Sequence, residues 1–449
     1  MSLISSDRVR AVVGLGVSGV STATFLAKQG LDFFVVDSRD NPPGLDQVKQ
    51  LCPEERIFTG SLEVLRTLGV TELFVSPGIA LAAPILKELA QAGVQMRGDI
   101  DLFCDYANAP FIAITGSNAK STVTTLVNEL LLALGKRSIA GGNLGLPALD
   151  CLADGMDYYV LELSSFQLET THALKADVAC LLNVSEDHMD RYDDLYGYQR
   201  AKQRIYRGCK AAVCNKQDIL TAPLLAQDTP VRAFTKGSPD LKEFGLLKDA
   251  EGVWLCKGVK RLFNSQDIKL KGEHNYANIL AALAVLDVLA LPIDAPEVAT
   301  VLATFAGLPH RCETVREQDG VTYINDSKGT NVGATLAALE GLGNKQAKTI
   351  HLLAGGVGKG ADFSPLAPAL AKFVKHLYVF GKDASKIIDI VPQGTSYSEH
   401  VTLDELMEVV KSQVKQGDIV LFSPACASFD QYKNFEARGD HFVELVNKL

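Results

Sequence analysis

Residues 111–125, FIAITGSNAKSTVTT, constrain the fold of this chain more than any other stretch. Phe111 to Ile114 is a short apolar, β-rich run of the kind a buried strand needs, and Gly116, Ser117 and Asn118 follow it at once as turn formers. Lys120, Ser121 and Thr122 then open a segment in which Val123, Leu126, Val127, Leu130, Leu131 and Leu134 recur at helical spacing. A strand that passes through a tight loop into a helix aims the helix's free N–H groups and positive dipole end at the loop, where an anion is stabilised. The stretch reads as a nucleoside-triphosphate cradle, with Lys120 on the β- and γ-phosphates and the hydroxyl of Ser121 or Thr122 within reach of Mg²⁺. It departs from the general phosphate-loop pattern at Ile114 and Ala119, where glycine is usual. A positive φ at residue 119 would cost an alanine roughly 1–2 kcal/mol, whereas a negative φ would cost nothing, and the sequence leaves both open. An ordinary strand–turn–helix junction with a solvated lysine fits the same residues.

The 449 residues fit about three domains on a soft prior of roughly 150 residues each, and 47% hydrophobic with 22% charged residues is an ordinary globular composition. A net charge of −9 argues against a general nucleic-acid or membrane-surface binder, whose phosphate contacts need a basic face. An anionic substrate must therefore be held by local lysines, arginines and helix ends. Nine scattered cysteines with no CxxC fit a reducing cytoplasm and argue against both a disulfide framework and a Cys-based zinc site. The first residues, MSLISSDRVRAVVGLG, lack the basic region, apolar core and cleavage site of a signal peptide. The most apolar long stretch, Ile279 to Leu291, is broken by Asp287 and followed by Pro292, and reads as a buried helix too short to span a bilayer.

Strand, polar turn and helix alternate from one end of the chain to the other. Val9 to Val13 is a buried-strand run, GLGVSG follows at Gly14 to Gly19, a helix runs through Lys28, and the next strand, Phe33 to Val36, ends in Asp37. That is the spacing of a nucleotide-binding βαβ unit, in which Asp37 could bond a nicotinamide-nucleotide ribose or another nucleotide-borne group, though the glycines also fit tight helix–strand packing alone. Leu73 to Val75 followed by SPGIA faces the same crevice. A second unit holds the cradle, the turn-rich GGNLGLPA, and strands Tyr158 to Leu163 and Val178 to Val184, with Glu162 and Asn183 near their ends. Ser121, Glu162 and His188 would suit Mg²⁺, which takes few protein ligands; in isolation Glu162 fits a surface carboxylate equally well and His188 a structural hydrogen-bonder. Arg200 to Arg207 reads as a basic helical segment, in which Lys202 is a solvated cation. His274 and Asn275 stand at the mouth of the apolar helix, where N-terminal capping also explains Asn275. A third unit starts near Gly307, and its strands at Val321 to Ile324, His351 to Ala354, Leu377 to Phe380 and Val420 to Phe422 each end in a Gly, Ser or Lys cluster. The expected fold is α/β in three domains: a Rossmann-like unit at 1–98, a central phosphate-loop ATPase-like unit with a mostly parallel sheet at 99–307, and a Rossmann-like α/β unit at 308–449.

TGSNAKST, LELSSFQLET, NVSEDHMDRY, GEHNYAN, LPHRCE, INDSKGTN, GGVGKGADF and SPACASFDQYKNFEARG occur here in the order found in the Mur ligase family, which the chain resembles over essentially its whole length. The last motif and the GLG/DSR first unit point to the D-glutamate-adding member. The resemblance implies a cytoplasmic, ATP-dependent carbon–nitrogen ligase of peptidoglycan precursor synthesis, a monomer with no nucleic-acid or membrane partner. Its implied substrates are UDP-N-acetylmuramoyl-L-alanine and D-glutamate, with ATP and two Mg²⁺ ions. It implies that the first unit holds UDP through Val17, Ser18, Asp37, Ser38, Arg39 and Gly78, with Asn143, Ser164 and Gln167 on the sugar-peptide part. Gly116, Ser117, Asn118, Ala119, Lys120, Ser121 and Thr122, with Asn275, Arg311 and Asp326, would hold ATP. Lys120, Glu162, His188 and Lys202 would be catalytic; Lys202 matches a lysine the family carbamylates, so that it and His188 would hold a second Mg²⁺ beside that of Ser121 and Glu162. D-Glutamate would lie against Lys328, Thr330, Lys359, Ser428, Phe429 and Phe435. Ala119, Gly329 and Val357 depart from the usual Gly, Ala and Asp of that family.

Rival readings remain. An NAD-dependent oxidoreductase uses GLGVSG and Asp37 but leaves TGSNAKST idle; a nucleotide-switch protein uses the cradle without ligation; a related ligase takes another amino acid.

Overall fold

The computed structural model describes residues 8–343 and 346–449, so the signal-peptide reading of the first residues rests in part on positions 1–7, outside the described residues. Three sheets succeed one another along the chain, mostly parallel, as the alternating strand and helix patterns predict. The first is parallel throughout, in the order Ile57–Phe58, Phe34–Val36, Arg10–Val13, Glu72–Val75, Gln95–Arg97. Its strand Arg10–Val13 is buried end to end, the mark of a sheet covered on both faces. Neighbours are added on both sides of that strand, so the strand order reverses there and a crevice opens at the strands' carboxyl ends. Gly19 fits this junction because a Cβ would meet the Gly14 carbonyl oxygen at 1.8 Å, which seats helix Val17–Lys28 directly on the sheet.

The central sheet has nine strands, with Phe111–Thr115 between Tyr158–Glu162 and Val178–Leu181. Its far end, Phe244–Asp249, Gly252–Lys257 and Lys260–Asn264, turns antiparallel. The apolar helix runs Glu273–Val288 rather than Ile279 to Leu291. Its first turn is polar, and Ala290 adopts a left-handed φ of 56° ahead of Pro292, which ends the helix early. Leu280 to Leu286 of this helix are fully shielded in one core with Val123, Leu126, Val127, Leu130 and Leu131 and with the sheet, which explains its apolar composition without a membrane. Among the described residues no helix is long and apolar enough to cross a membrane.

The third sheet runs Glu313–Gln318, Val321–Asn325, Ile419–Phe422, Ile350–Gly355, Val374–Phe380, Ser396–His400, antiparallel only at its first pair. Its two outermost strands carry no apolar run and were not foreseen. The nine cysteines are free thiols.

Candidate active site

The loop after Phe111–Thr115 is clamped from the neighbouring strand's continuation. Asn183 accepts Ser117 N–H on its backbone oxygen at 2.9 Å and Asn118 N–H on its side-chain oxygen at 2.8 Å, and returns an Nδ2 hydrogen bond to the Asn118 carbonyl at 3.1 Å. Ser117 Oγ donates to Ser185 O and accepts Ser185 N–H, both at 2.9 Å. Helix Lys120–Ala133 then begins with Ala119 at φ 66°, ψ 0°, so the position left open by the sequence is left-handed, and the alanine carries the corresponding strain of roughly 1–2 kcal/mol.

Two lysines converge on this loop. Lys120 Nζ donates to Gly116 O at 2.8 Å and Ser117 O at 2.9 Å, and Lys202 Nζ donates to the same Gly116 oxygen at 2.8 Å. Lys202 is 1% exposed and lies 4.5 Å from the Tyr198 ring, which corrects the reading of a solvated cation. Tyr198, Ala201, Lys202 and Ile205 share the buried face of the segment, so a lysine falls where helical spacing puts an apolar side chain. Burial, then the Lys120 charge, pushes its ammonium well below the ordinary lysine range. Burial likewise lowers Lys120, with Glu162 and Asp187 pulling the other way.

Glu162 is 2% exposed, which excludes the surface-carboxylate alternative. Its Oε1 accepts from Asn143 Nδ2 at 2.9 Å, and its Oε2 is buried without a hydrogen-bond partner. A carboxylate oxygen left bare beside two lysines and a phosphate cradle has the chemistry of a cation ligand. The His188 ring packs against Phe166 at 4.7 Å, and its Nε2 is 3.8 Å from Asp187 Oδ2, beyond hydrogen-bond range. Burial pushes its pKa down to about 4, so the imidazole is neutral near pH 7 and able to donate a lone pair.

The same cavity, about 720 Å³, is closed by the third sheet's loops. Of the residues expected at ATP and D-glutamate, all but Gly116 line it: Ser117 to Thr122, Asn275, Arg311, Asp326, Lys328, Thr330, Lys359, Ser428, Phe429 and Phe435. Asp326 is buried, accepts Ser423 Oγ at 2.6 Å and Cys312 N–H at 3.1 Å, and is pushed up to about 6 by burial. A Cβ at residue 329 would lie 2.6 Å from Asp326 Oδ2 and 2.7 Å from Ser423 Oγ, so Gly329 leaves room for that pair. Lys328 Nζ sits 4.0 Å over the Phe435 ring, and burial together with Arg311 brings it down to about 8. Asn275 is not the helix cap: Gly272 holds that position, and Asn275 Nδ2 donates back to Lys271 O at 2.8 Å.

The first sheet's expected contacts lie outside this cavity, on loops after its strands and in the first turn of helix Val17–Lys28. Val17 is exposed at the helix start, and Ser38, Arg39 and Gly78 stand in the turns after Phe34–Val36 and Glu72–Val75. Asp37 differs from the expected open ligand. It is fully buried, accepts Leu15 N–H at 2.6 Å, and holds Arg39 through its backbone N–H and guanidinium. Its carboxylate thus shapes the glycine loop and leaves Arg39 facing out. Asn143 and Ser164 line the central cavity, whereas Gln167 stands behind its wall in a capping box with Ser164.

Three residues escaped the sequence reading. Asp187 is held down at about 2 despite burial by the Lys359 ammonium that it pairs with, and it also accepts Asn331 Nδ2 at 3.1 Å. Asn331 reaches Asn118 Oδ1 at 3.0 Å as well, so one side chain joins the third sheet's helix to the phosphate loop. Arg438, fully buried, binds Ser327 Oγ and O and Cys426 O, fixing the turn that carries Lys328. All three lie inside motifs that carry the resemblance, but each acquires its role from a partner outside its own motif or far along it.

A cradle with one buried and one half-buried lysine, a bare carboxylate oxygen and a wall of cations from another α/β unit defines a nucleotide-dependent group-transfer enzyme. Family models match in succession: "Mur ligase MurD-like, N-terminal domain" over residues 8–98, "Mur ligase middle domain" over 114–286, and "Mur ligase, glutamate ligase domain" over 310–426. The chain belongs to the Mur ligase family. It is 49% identical to a UDP-N-acetylmuramoylalanine–D-glutamate ligase of Pseudomonas aeruginosa and 45% identical to one of Hahella chejuensis, with both chains fully covered in each case. Among solved structures it shares its fold with a UDP-N-acetylmuramate–alanine ligase from Thermotoga maritima, at TM-score 0.61 and 19% identity over 98% of this chain and 99% of that one. A MurF ligase from the same organism in complex with ADP aligns at TM-score 0.60 and 17% identity over 99% of this chain and 95% of that one.

Proposed function

We propose that this enzyme joins D-glutamate to UDP-N-acetylmuramoyl-L-alanine at the expense of ATP, in the cytoplasm, as a step of peptidoglycan precursor synthesis. The observation that carries the reading is the single cavity in which the phosphate loop faces Lys328 and Lys359. A ligase needs its activated acid and its incoming amine in one enclosure, and an amino acid with two carboxylates needs cations.

A free carboxylate is a poor acyl donor, so the alanine carboxylate attacks the γ-phosphorus of ATP, releasing ADP and forming an acyl phosphate. The D-glutamate amine adds to the acyl carbon; the tetrahedral intermediate expels phosphate and loses a proton to give the amide. Two anions meet in the first step, and Lys120 turns from the loop carbonyls toward the γ-phosphate to offset their repulsion. Ser121 and the bare Glu162 Oε2 would hold one Mg²⁺, and His188 with a carbamylated Lys202 would hold a second; the ions would supply further positive charge on the transferring phosphoryl group. A buried amine of depressed basicity such as Lys202 is the neutral form that takes up CO₂. Arg311 and Asp326 lie against the nucleotide from the third unit, and UDP occupies the first unit's crevice through Arg39, Ser38, Gly78 and the glycine-loop residues. The oxidoreductase alternative loses its ribose acceptor, because the Asp37 carboxylate is already taken up by Leu15 and Arg39.

The test is phosphate release from ATP and Mg²⁺ with UDP-N-acetylmuramoyl-L-alanine, comparing D-glutamate, L-glutamate, L-alanine and no amino acid. Release with D-glutamate alone, matched by a product one glutamyl unit heavier, is expected, and Lys120→Ala should slow it by about 100- to 1,000-fold. Release with another amino acid would reassign the acceptor; amino-acid-independent release would favour a nucleotide switch.

A further inference from the structure

Asp99 belongs to none of the motifs, yet its carboxylate sits where the first and central units meet. It opens helix Asp99–Tyr106 immediately after the first sheet's last strand and is 4% exposed. Oδ1 accepts Ile100 N–H at 3.0 Å and Oδ2 accepts Gln167 Nε2 at 3.2 Å, while the Ser18 hydroxyl faces the carboxylate and favours its charged form. Ser18 stands in the first turn after the glycine loop. Gln167 points its other end at the cavity wall, where Oε1 accepts the Ser164 N–H and Oγ, both at 3.1 Å. Hydrogen bonds therefore run from Asp99 through Gln167 to Ser164, with Ser18 of the nucleotide-side helix facing the same carboxylate. The packing is equally close: a Cβ on Gly98 would lie 2.3 Å from Thr170 Oγ1, so the linker backbone rests directly on the Thr170 side chain of helix Ser165–Thr170. The other flank of that short helix is tied to the first unit by Arg191, which donates to Pro77 O at 2.8 Å and Glu169 Oε2 at 2.9 Å while lying 4.0 Å over Phe166.

A carboxylate at an interior junction costs stability unless its donors are all in place, and an apolar side chain would fill the same space more cheaply. What the carboxylate adds is register: it fixes the start of the linking helix, which faces Ser18, relative to Ser164. We propose that Asp99 is a positioning residue that holds the nucleotide-binding and sugar-peptide-binding halves of the UDP-linked substrate site at one fixed separation, so that a single extended substrate can occupy both. The proposal rests on the substrate reading above.

Asp99→Asn is nearly isosteric, but it turns an amide toward the Gln167 Nε2 donor; Gln167→Glu returns an acceptor to that partner. The double variant Asp99→Asn, Gln167→Glu therefore restores one donor–acceptor pair with the roles exchanged. Binding is measured by calorimetry for UDP alone, for UDP-N-acetylmuramoyl-L-alanine and for ATP, with KM and kcat alongside. Asp99→Asn should weaken the complete substrate about tenfold, in Kd and KM, while UDP alone and ATP bind within twofold of wild type, and the double variant should recover most of the loss. Equal weakening of UDP, ATP and the complete substrate, or a loss confined to kcat, would overturn the proposal, as would binding by Asp99→Asn indistinguishable from wild type. Wild-type protein that binds neither UDP nor the UDP-linked substrate would overturn the substrate reading itself, and that outcome is told apart by the wild-type titration alone.

Discussion

The central unit meets its two neighbours through opposite kinds of seam. Toward the first unit the contact is an apolar core continuous across both: Val12, Leu15 and Leu26 of the first belong to the same buried cluster as Phe111, Ala113 and Tyr159 of the central one, with Phe103 of the linking helix between them. Toward the third unit the contact is polar, made by Asn331 on Asn118 and Asp187 and by the Lys359–Asp187 pair, and the third unit's two cores contain only its own residues. Burial of apolar area is non-directional and strong, whereas a handful of hydrogen bonds exchanged against water is worth little net. The first two units should therefore move as one body, and the third should open and close at small cost. That division suits a ligase whose UDP-linked substrate spans the fixed seam while ATP and the amino acid enter across the movable one.

Breaking the apolar seam should produce the largest effect. Phe103 is fully buried and packs edge-on against Phe111 and Tyr159, with ring centroids 5.6 and 5.3 Å away. Phe103→Ala should destabilise the fold by about 3–5 kcal/mol, read by urea unfolding, with the first and central units melting together. Separate melting of those two units would show that the shared core does not couple them.

The polar seam should respond in activity instead. A Cβ at Gly333 would stand 2.7 Å from Ser185 Oγ and 3.3 Å from Asn118 Nδ2, so here the third unit's helix Val332–Leu342 packs against the phosphate loop and its clamp. Gly333→Val should hold the third unit away and lower kcat/KM by about 10- to 100-fold, since a misplacement near 1 Å is enough, while the unfolding midpoint stays close to wild type. Loss of stability with unchanged turnover would reverse the assignment of the two seams.

The same contrast sets what could be read from sequence. Strands such as Arg10–Val13 and Phe111–Thr115 announce themselves because both faces of a parallel sheet are buried, and the glycine loop and cradle because turn residues and a helix start are local features. The polar strands Glu313–Gln318 and Ser396–His400 carry no such run, being half-exposed sheet edges. Lys202 was misread because charge at one position outweighs helical spacing in a short segment; its surroundings, Tyr198 and the Gly116 carbonyl, are not visible locally. Asp187, Asn331 and Asp99 act across 68 to 213 residues of chain, and no single-sequence pattern encodes a partner at that distance. Asp37, by contrast, was found by its spacing, but spacing does not show that Arg39 turns back to neutralise it.

A pH titration sharpens the comparison further. Burial first, and the Arg311 charge second, bring Lys328 down to about 8, so its cation is present below that pH and lost above it. D-Glutamate should bind more weakly as the pH rises, with its KM about tenfold higher at pH 9 than at pH 7, while the KM of the UDP-linked substrate changes little. Lys328→Arg keeps its charge throughout and should flatten the D-glutamate profile. A profile that survives this substitution would place the titrating group elsewhere.

The smallest effect concerns Ala119, which lies between Asn118, the residue the polar seam grips, and the helix that faces the phosphates. At φ 66° it holds a conformation that an L-residue occupies at a cost of roughly 1–2 kcal/mol. Ala119→Gly removes that cost but gives the unfolded chain more freedom, a loss of about 0.4–1 kcal/mol, so a net stabilisation of about 1 kcal/mol is expected in urea unfolding. The KM for ATP should stay within about twofold, because the loop's shape is set by the Asn183 and Ser185 clamps rather than by the strained residue itself. Were ATP instead to bind several-fold more weakly to the glycine variant, the alanine would be stiffening a loop the clamps leave loose. The movable seam would then meet a phosphate loop held rigid by strain, and the stability given up at residue 119 would be the cost of keeping that surface fixed while the third unit opens and closes on it.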